Sequence, residues 1–312
     1  MLKKGWGASM WFVSALITIL AWGTADLFYK KGNNAADPHS AMKTTIMVGL
    51  VMGLHAILYY GVYEGISYDW KNLIIYLPVS AMYILSMAIG YFGLRYIEVS
   101  ISSPISNSSG AVTALLGFLI MGNSLKGLQF VAICLILIGI LLLSIFEKKQ
   151  EDAELAAEGV KFDPKYRFGA VAILFPILYM VIDGLGTFLD SYYLEYKQIL
   201  PEDQANMSYE LTFLIVGLLL WGYLKLVKKE SFTVFKERDK GLAAIFETLG
   251  QFFYIGAISS QEAVITAPLI SSYAIVSVLL GRIFLKERLT AKHYVVIAAI
   301  MAGIAILGFY DG

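Results

Sequence analysis

The sequence predicts an all-α, polytopic membrane protein: ten transmembrane helices arranged as two inverted five-helix repeats. Three observations carry that expectation. The first is composition: 58% of the 312 residues are apolar or aromatic, against 24 Lys+Arg and 24 Asp+Glu, with a mean hydropathy of +0.68. A soluble globular chain uses roughly 45 to 50% apolar and about 25% charged residues, so the excess has to face lipid. The second is periodic segmentation into apolar runs of helix-spanning length. The third is an internal repeat.

A hydrocarbon core about 30 Å thick takes roughly 20 residues of helix. Cutting the chain at charges, Gly and Pro yields ten such runs, at 10–29, 41–62, 73–94, 99–121, 128–146, 169–192, 209–226, 242–258, 263–285 and 294–309. The first follows Lys3 and Lys4 but carries Trp22 and Asp26 late and has no small-residue cleavage pattern, so it reads as a retained helix and not a signal peptide. The connections leave no room for a separate soluble domain. The longest runs from Glu147 to Arg167 and is a mixed-charge, solvated stretch. It divides the chain into a first repeat (1–146), a charged linker (147–168) and a second repeat (169–312).

Shifting the sequence against itself by 164 positions places Glu98 on Glu262, Pro104 on Pro268, Ser108 on Ser272, Gly117 on Gly281 and Gly139 on Gly303, with 14 identities over the 45 positions from 98 to 142. The first runs of the two halves align after one inserted residue, with Gly23, Thr24 and Asp26 on Gly186, Thr187 and Asp190. Five spans is an odd number, so the second half enters the membrane from the opposite side. Inverted repeats of this kind build alternating-access carriers with a substrate site near the midplane.

These residues resemble the drug/metabolite transporter superfamily, EamA type, through AWGTADLFYKKG in the first run and the segment from Glu262 through FLKERLTAKHYVVIAAIMAGIAILGF at the end. The resemblance covers nearly the whole chain. It implies a ten-helix transporter of small organic metabolites, with the first four helices of each half around a central cavity and the fifth peripheral. It implies no particular substrate. One departure is Asn123, which stands where the second half has Glu287.

Carboxylates inside spans are costly, about 2.5 to 3.5 kcal/mol at a helix centre, and are functional candidates for that reason. Asp183 lies mid-span in the sixth run and Glu247 mid-span in the eighth. Tyr179, Asp183, Gly186 and Asp190 share one helical stripe, and Glu247, Gln251 and Tyr254 another, which the repeat sets on Tyr83, Met87 and Gly90. Asp26 and Asp190 sit nearer span ends, where snorkelling to water is easy. Glu98 and Glu262 stand at span entrances, where compensation of the helix dipole explains them as well as function does. The runs after Glu98 and Glu262 open with small residues and a proline. Pro104 and Pro268 free backbone carbonyls there, and Asn107, Ser108, Ser271 and Ser272 are candidate partners; packing through small residues is the competing explanation. Tyr59, Tyr60, Tyr63, Tyr192 and Tyr193 read as interfacial belts. Trp22, Tyr83, Tyr91, Tyr179, Tyr254 and Tyr273 lie away from the ends and are cavity candidates. Aromatic faces beside acids suit a cation, which makes an amine-bearing solute the leading substrate, a neutral sugar or amino acid the alternative, and a proton a candidate coupling ion. His55 reads as a packed, hydrogen-bonded side chain outside the site.

Zero net charge excludes a nucleic-acid partner argued from global charge, and the lone Cys134 excludes an intrachain disulfide, a CxxC pair or a cysteine zinc site. No metal or cofactor is expected. The stretch Asp183-Gly-Leu-Gly-Thr resembles the glycine motif of intramembrane aspartyl proteases but lacks the acid after the second glycine, and no HExxH, GxSxG or P-loop pattern occurs. An enzyme, a channel and a solute sensor are therefore the alternatives to a carrier. Counted by side, five Lys and Arg accompany the termini and nineteen lie opposite, which predicts a cell-membrane protein with termini outside and linker inside. The family resemblance implies cytoplasmic termini instead. A monomer and a homodimer both fit the sequence.

Overall fold

The computed structural model describes residues 10–121, 127–158, 169–258, 270, 272–287 and 289–310, of which the helical residues 10, 11, 121, 144, 147–158, 169, 170, 195, 255, 256, 258 and 307–310 are described in backbone only. The described secondary structure is helical throughout. In chain order the helices are α1 (Met10–Gly32), α2 (Ser40–His55), α3 (Lys71–Ile75), α4 (Leu77–Gly93), α5 (Val99–Ser106), α6 (Ser109–Met121), α7 (Gly127–Glu158), α8 (Gly169–Ala172), α9 (Leu174–Ser191), α10 (Glu202–Leu226), α11 (Arg238–Ile258), α12 (Tyr273–Leu280) and α13 (Ala291–Tyr310). Three of them continue as wider π turns: α2 through Ala56–Tyr63, α9 through Tyr192–Tyr196 and α12 through Gly281–Leu285.

Among the described residues, Phe12–Gly32, Ser40–Tyr63, Leu174–Leu194 and Glu202–Leu226 are long and apolar enough to cross a membrane, and Leu77–Gly93, Gly127–Leu143, Tyr273–Leu285 and Ala291–Ile306 are shorter apolar helices. Large apolar side chains remain on the outside, among them Leu119 (65% exposed), Leu219 (68%) and Val295 (69%). Such surface is compatible with lipid and not with water. Several predicted runs change shape: the run at 128–146 continues as helix to Glu158, into the expected linker, and the run at 73–94 is divided into α3 and α4. The run at 99–121 is broken into α5 and α6 at Asn107 and Ser108, three residues past Pro104, where Ser108 Oγ donates to the Pro104 carbonyl (2.8 Å). The run expected at 209–226 begins at Glu202, two turns earlier, because Glu202 and Asp203 occupy the first turn, where the helix dipole favours acids. That extension places Glu210 well inside a helix.

The packing obeys the two-fold relation that the repeat demands. α1 lies on α11 and α4 on α9; α2 pairs with α10, α5 with α12 and α7 with α13; α6 meets α9 as α12 meets α1. Glycines make the reciprocity visible at atomic scale. A Cβ on Gly139 would sit 2.5 Å from Ile300, and one on Gly303 would sit 2.8 Å from Ile136. Ile136 and Ile300 are themselves repeat mates. Gly23 approaches Val276 and the Tyr273 carbonyl, and Gly184 approaches Val112 and the Ser109 carbonyl, again mates. Gly184, and not the Gly186 of the sequence alignment, is therefore the structural counterpart of Gly23. Glycines and aspartates of similar spacing occur in both runs, and packing sets the register by close approach.

Candidate functional site

With Gly23 opposite Gly184, Trp22 is the counterpart of Asp183 and Asp26 that of Thr187, while the repeat shift pairs Tyr83 with Glu247 and Ser86 with Gly250. The contacts agree. Ser86 Oγ donates to Asp183 Oδ1 (3.3 Å), and at the equivalent place Trp22 lies against Gly250 and donates from Nε1 to the Glu247 carbonyl (3.3 Å). A related backbone is thus decorated asymmetrically, with aromatic rings in the first half where the second has acids.

Asp26, Asp183 and Glu247 converge between the halves. Asp26 Oδ2 accepts from Ser103 Oγ on α5 and Ser277 Oγ on α12, each at 2.6 Å. Asp183 accepts from Ser86 and also from Ser109 at the start of α6. Glu247 accepts from the Tyr29 hydroxyl and lies within electrostatic reach of both aspartates. Tyr91 donates to the Tyr29 oxygen (3.1 Å), so a Tyr91–Tyr29–Glu247 chain is formed. Tyr179, Tyr209 and Tyr273 face the same acids. Trp22 packs against Tyr254 with the rings tilted by 37° (5.2 Å between centroids) and meets Tyr273 edge-on (5.5 Å). Among the described residues no lysine or arginine forms an ion pair with any of the three acids; Lys43 and Lys240 pair with acids elsewhere.

The sequence candidates are distributed as follows. Trp22, Asp26, Tyr91, Tyr179, Asp183, Glu247, Tyr254 and Tyr273 come together in this interior, and Gln251 is half-buried one turn further along α11. Asp26 is half-buried and bonded to the serines of α5 and α12. Asp190 instead accepts from Tyr76 at the far end of α9, and Tyr83 bridges toward it, bonded to Thr187 Oγ1 (3.3 Å). Ser108 is buried and spends its hydroxyl on Pro104; Asn107 is the half-buried turn residue before it, and the Ser272 carbonyl accepts the Ile275 N–H as α12 starts. Glu98 precedes α5 as its N-cap without a side-chain cap. Glu262, Pro268 and Ser271 lie outside the described residues. Of the expected belt, Tyr63 is exposed (78%) but Tyr60 is buried (7%).

Three groups escaped the sequence reading. Tyr29 and Tyr209 stand at run ends, and Ser103 and Ser277 are small residues inside runs, so position and residue type alone give little reason to single them out. Ser277 lies one turn after Tyr273 on the same stripe, a signal that was available. Glu287 was marked only as a motif residue. Its carboxylate accepts from Val99 N (2.8 Å), Ser100 N (2.9 Å) and Ser100 Oγ (2.5 Å), so an acid from the second half caps the N-terminus of α5 in the first. Lys286, in the left-handed region at φ 57°, turns the chain to aim it, and a Cβ on Gly281 would lie 2.6 Å from Glu287 Oε2. The repeated glycine makes room for the clasp.

Taken together, apolar exterior, reciprocal halves and a carboxylate-bearing interior define a helical membrane protein of the transporter class. The sequence model of the EamA-like transporter family matches residues 9–145 and 168–309, and the chain belongs to that family. Its members are transporters, and the chain is accordingly a multi-pass membrane transporter of small solutes. One solved crystal structure of a protein superposes with a TM-score of 0.51 over 96% of each chain at 16% identity, a likeness of fold. Curated proteins yield no match.

Proposed function

We propose that the protein is a secondary transporter that carries a small organic cation, an amine or a related ammonium solute, by alternating access, with Asp26, Asp183 and Glu247 holding the cationic group or a coupling proton. The observation that carries this reading is the convergence of the three acids, from α1, α9 and α11, with no basic partner among the described residues. Part-buried carboxylates inside a helical membrane protein without counter-ions are costly. A cation or protons arriving from water supply the missing charge. The rings of Trp22, Tyr179 and Tyr273 offer the π faces that an ammonium group favours, at about 0.5 to 2 kcal/mol each. Two halves related by inversion supply the equal and opposite states that carriers use. The nineteen-to-five imbalance of Lys and Arg favours the termini outside the cell membrane, and the solute gradient or a proton gradient supplies the energy.

The test is uptake and counterflow in proteoliposomes with a panel of amines, amino acids and sugars. Saturable amine flux with counterflow is expected in the native protein, falling at least about tenfold in Asp183→Asn and Glu247→Gln, which is the loss of a charge-assisted contact worth about 1.5 to 3 kcal/mol. Full flux in both variants would sink the assignment of the acids, and non-saturating conductance would replace the carrier by a channel.

A further inference from the structure

The pairing of α2 with α10 contains a part-buried ionisable pair that the interior site does not use. His55 Nδ1 lies 3.0 and 2.9 Å from Glu210 Oε1 and Oε2, and the Glu210 side chain is only 3% exposed. Tyr59 stacks on the imidazole (5.3 Å, 5° between planes), while Tyr60 and Phe252 meet it edge-on at 5.5 and 5.8 Å. Midway along the same two helices the backbones touch: a Cβ on Gly49 would be 2.4 Å from the Phe213 carbonyl, and one on Gly217 3.3 Å from the Ile46 carbonyl. Beyond that crossing, toward Ser40, a second clasp ties Lys43 and His39 to Glu230, and Lys43 also bonds Asp37 (2.9 Å). The helix pair therefore has a tight glycine crossing with an ionic clasp on either side.

The two clasps differ in chemistry. At the Ser40 end Lys43 supplies a permanent positive charge. At the Tyr63 end the basic partner of Glu210 is the His55 imidazole, which is cationic only when both ring nitrogens carry a proton. We propose that His55 and Glu210 form a proton-binding site, distinct from the central acids, whose occupancy holds the Tyr63 end of α2 against the Glu202 end of α10. A proton taken from water onto the imidazole makes an imidazolium–carboxylate pair with no net charge, which tolerates burial. Returning that proton to water leaves the buried Glu210 carboxylate with a neutral imidazole in place of a counter-charge, and hydration by separation of the two helix ends relieves the net negative charge. The titratable and charged neighbours facing the pair are Tyr59, Tyr60, Glu64 bonded to Tyr59 (3.2 Å), Tyr68 reached through Ser208 (2.8 Å) and Tyr209, with Glu202 and Asp203 at longer range. None of them is cationic. Tyr209 also faces Glu247 and Asp183, so it stands between this site and the interior.

This proposal rests on the alternating-access reading, and spin labels at Val62→Cys and Asn206→Cys in full-length Cys134→Ser protein in liposomes test it separately. Raising the pH from 5 to 9 is expected to lengthen the label distance by on the order of 2 to 5 Å, and the response is expected to vanish in Glu210→Gln and in His55→Gln. The exchanged pair, His55→Glu with Glu210→His, is expected to restore it. A distance that does not change with pH in the otherwise unsubstituted protein overturns the proposal without any variant having to fold, and so does an undiminished response in Glu210→Gln. A pH-driven distance change that depends on Glu210 in a protein that carries no amine would overturn the substrate reading and leave this site standing.

Discussion

At the scale of single residues, the most informative side chain is Glu287, because it does its work in the other half of the molecule. Three N–H and O–H donors at the start of α5 converge on one buried carboxylate. A left-handed backbone at Lys286, which costs a non-glycine residue about 1 to 2 kcal/mol, is offset by those bonds. Glu287→Gln keeps the shape and removes the charge, and a loss of about 1.5 to 3 kcal/mol is expected, read as a lower midpoint of thermal unfolding in detergent. Ser100→Ala should lose less, since both backbone donors remain. The motif that contains Glu287 was legible in the sequence, but its partner was not: the residues it caps lie 187 and 188 positions away.

At the scale of elements, close backbone approach decides which helices pair. Gly49 has no room for a side chain against Phe213, so Gly49→Val is expected to push α2 and α10 apart. Overpacking of this sort costs about 1 to 3 kcal/mol. Because the crossing lies between two clasps, a drop in transport rate larger than the drop in stability is expected; equal falls in both would make the glycine a packing residue only. Gly139 and Gly303 show the same economy between α7 and α13. Periodicity and hydropathy located these helices well, within a turn or two at most ends. They located the break in the fourth run less well, since proline marks a weakened ladder without saying where the chain yields; here it yields at Asn107 and Ser108, where the serine hydroxyl takes the Pro104 carbonyl.

At the scale of the whole molecule, charge among the described residues gathers in the connections, and those at the Ser40 end of α2 bring Asp37, His39, Lys43 and Glu230 together. Partial burial pushes the Asp37 carboxyl up, but Lys43, bonded to it, and the His39 backbone N–H outweigh that and hold it below the usual carboxylate range. The hydrogen bond from Lys43 holds Glu230 down, aided by His39 against a small burial effect. Both carboxyls are depressed on folding, so the stability they contribute is present above the unfolded carboxylate range near pH 4 and is lost as pH falls through their lower folded values. Unfolding midpoints should therefore decline from about pH 4 downward, and the decline should be shallower in Glu230→Gln. An identical acid profile in that variant would show that the cluster contributes nothing to stability. Both carboxyls are partly exposed, so the effect is expected to be modest and to shrink with added salt.

The sequence by itself determined that this chain is a helical membrane protein of two related halves, because a lipid solvent imposes span length, apolar composition and helical backbone, all of which are local properties of a string of residues. It also exposed Asp183 and Glu247, since an acid within an apolar run is visible without any fold. Only the tertiary structure decided the register of the halves, with Gly184 answering Gly23, the arrival of Asp26 among the serines of α5 and α12, and the partnership of His55 with Glu210. The physical reason is the range of the forces involved. Transfer of a side chain to lipid is set residue by residue, whereas close packing and hydrogen bonding need atoms within a few ångströms, and the chain brings those together from more than 70 positions apart in each case.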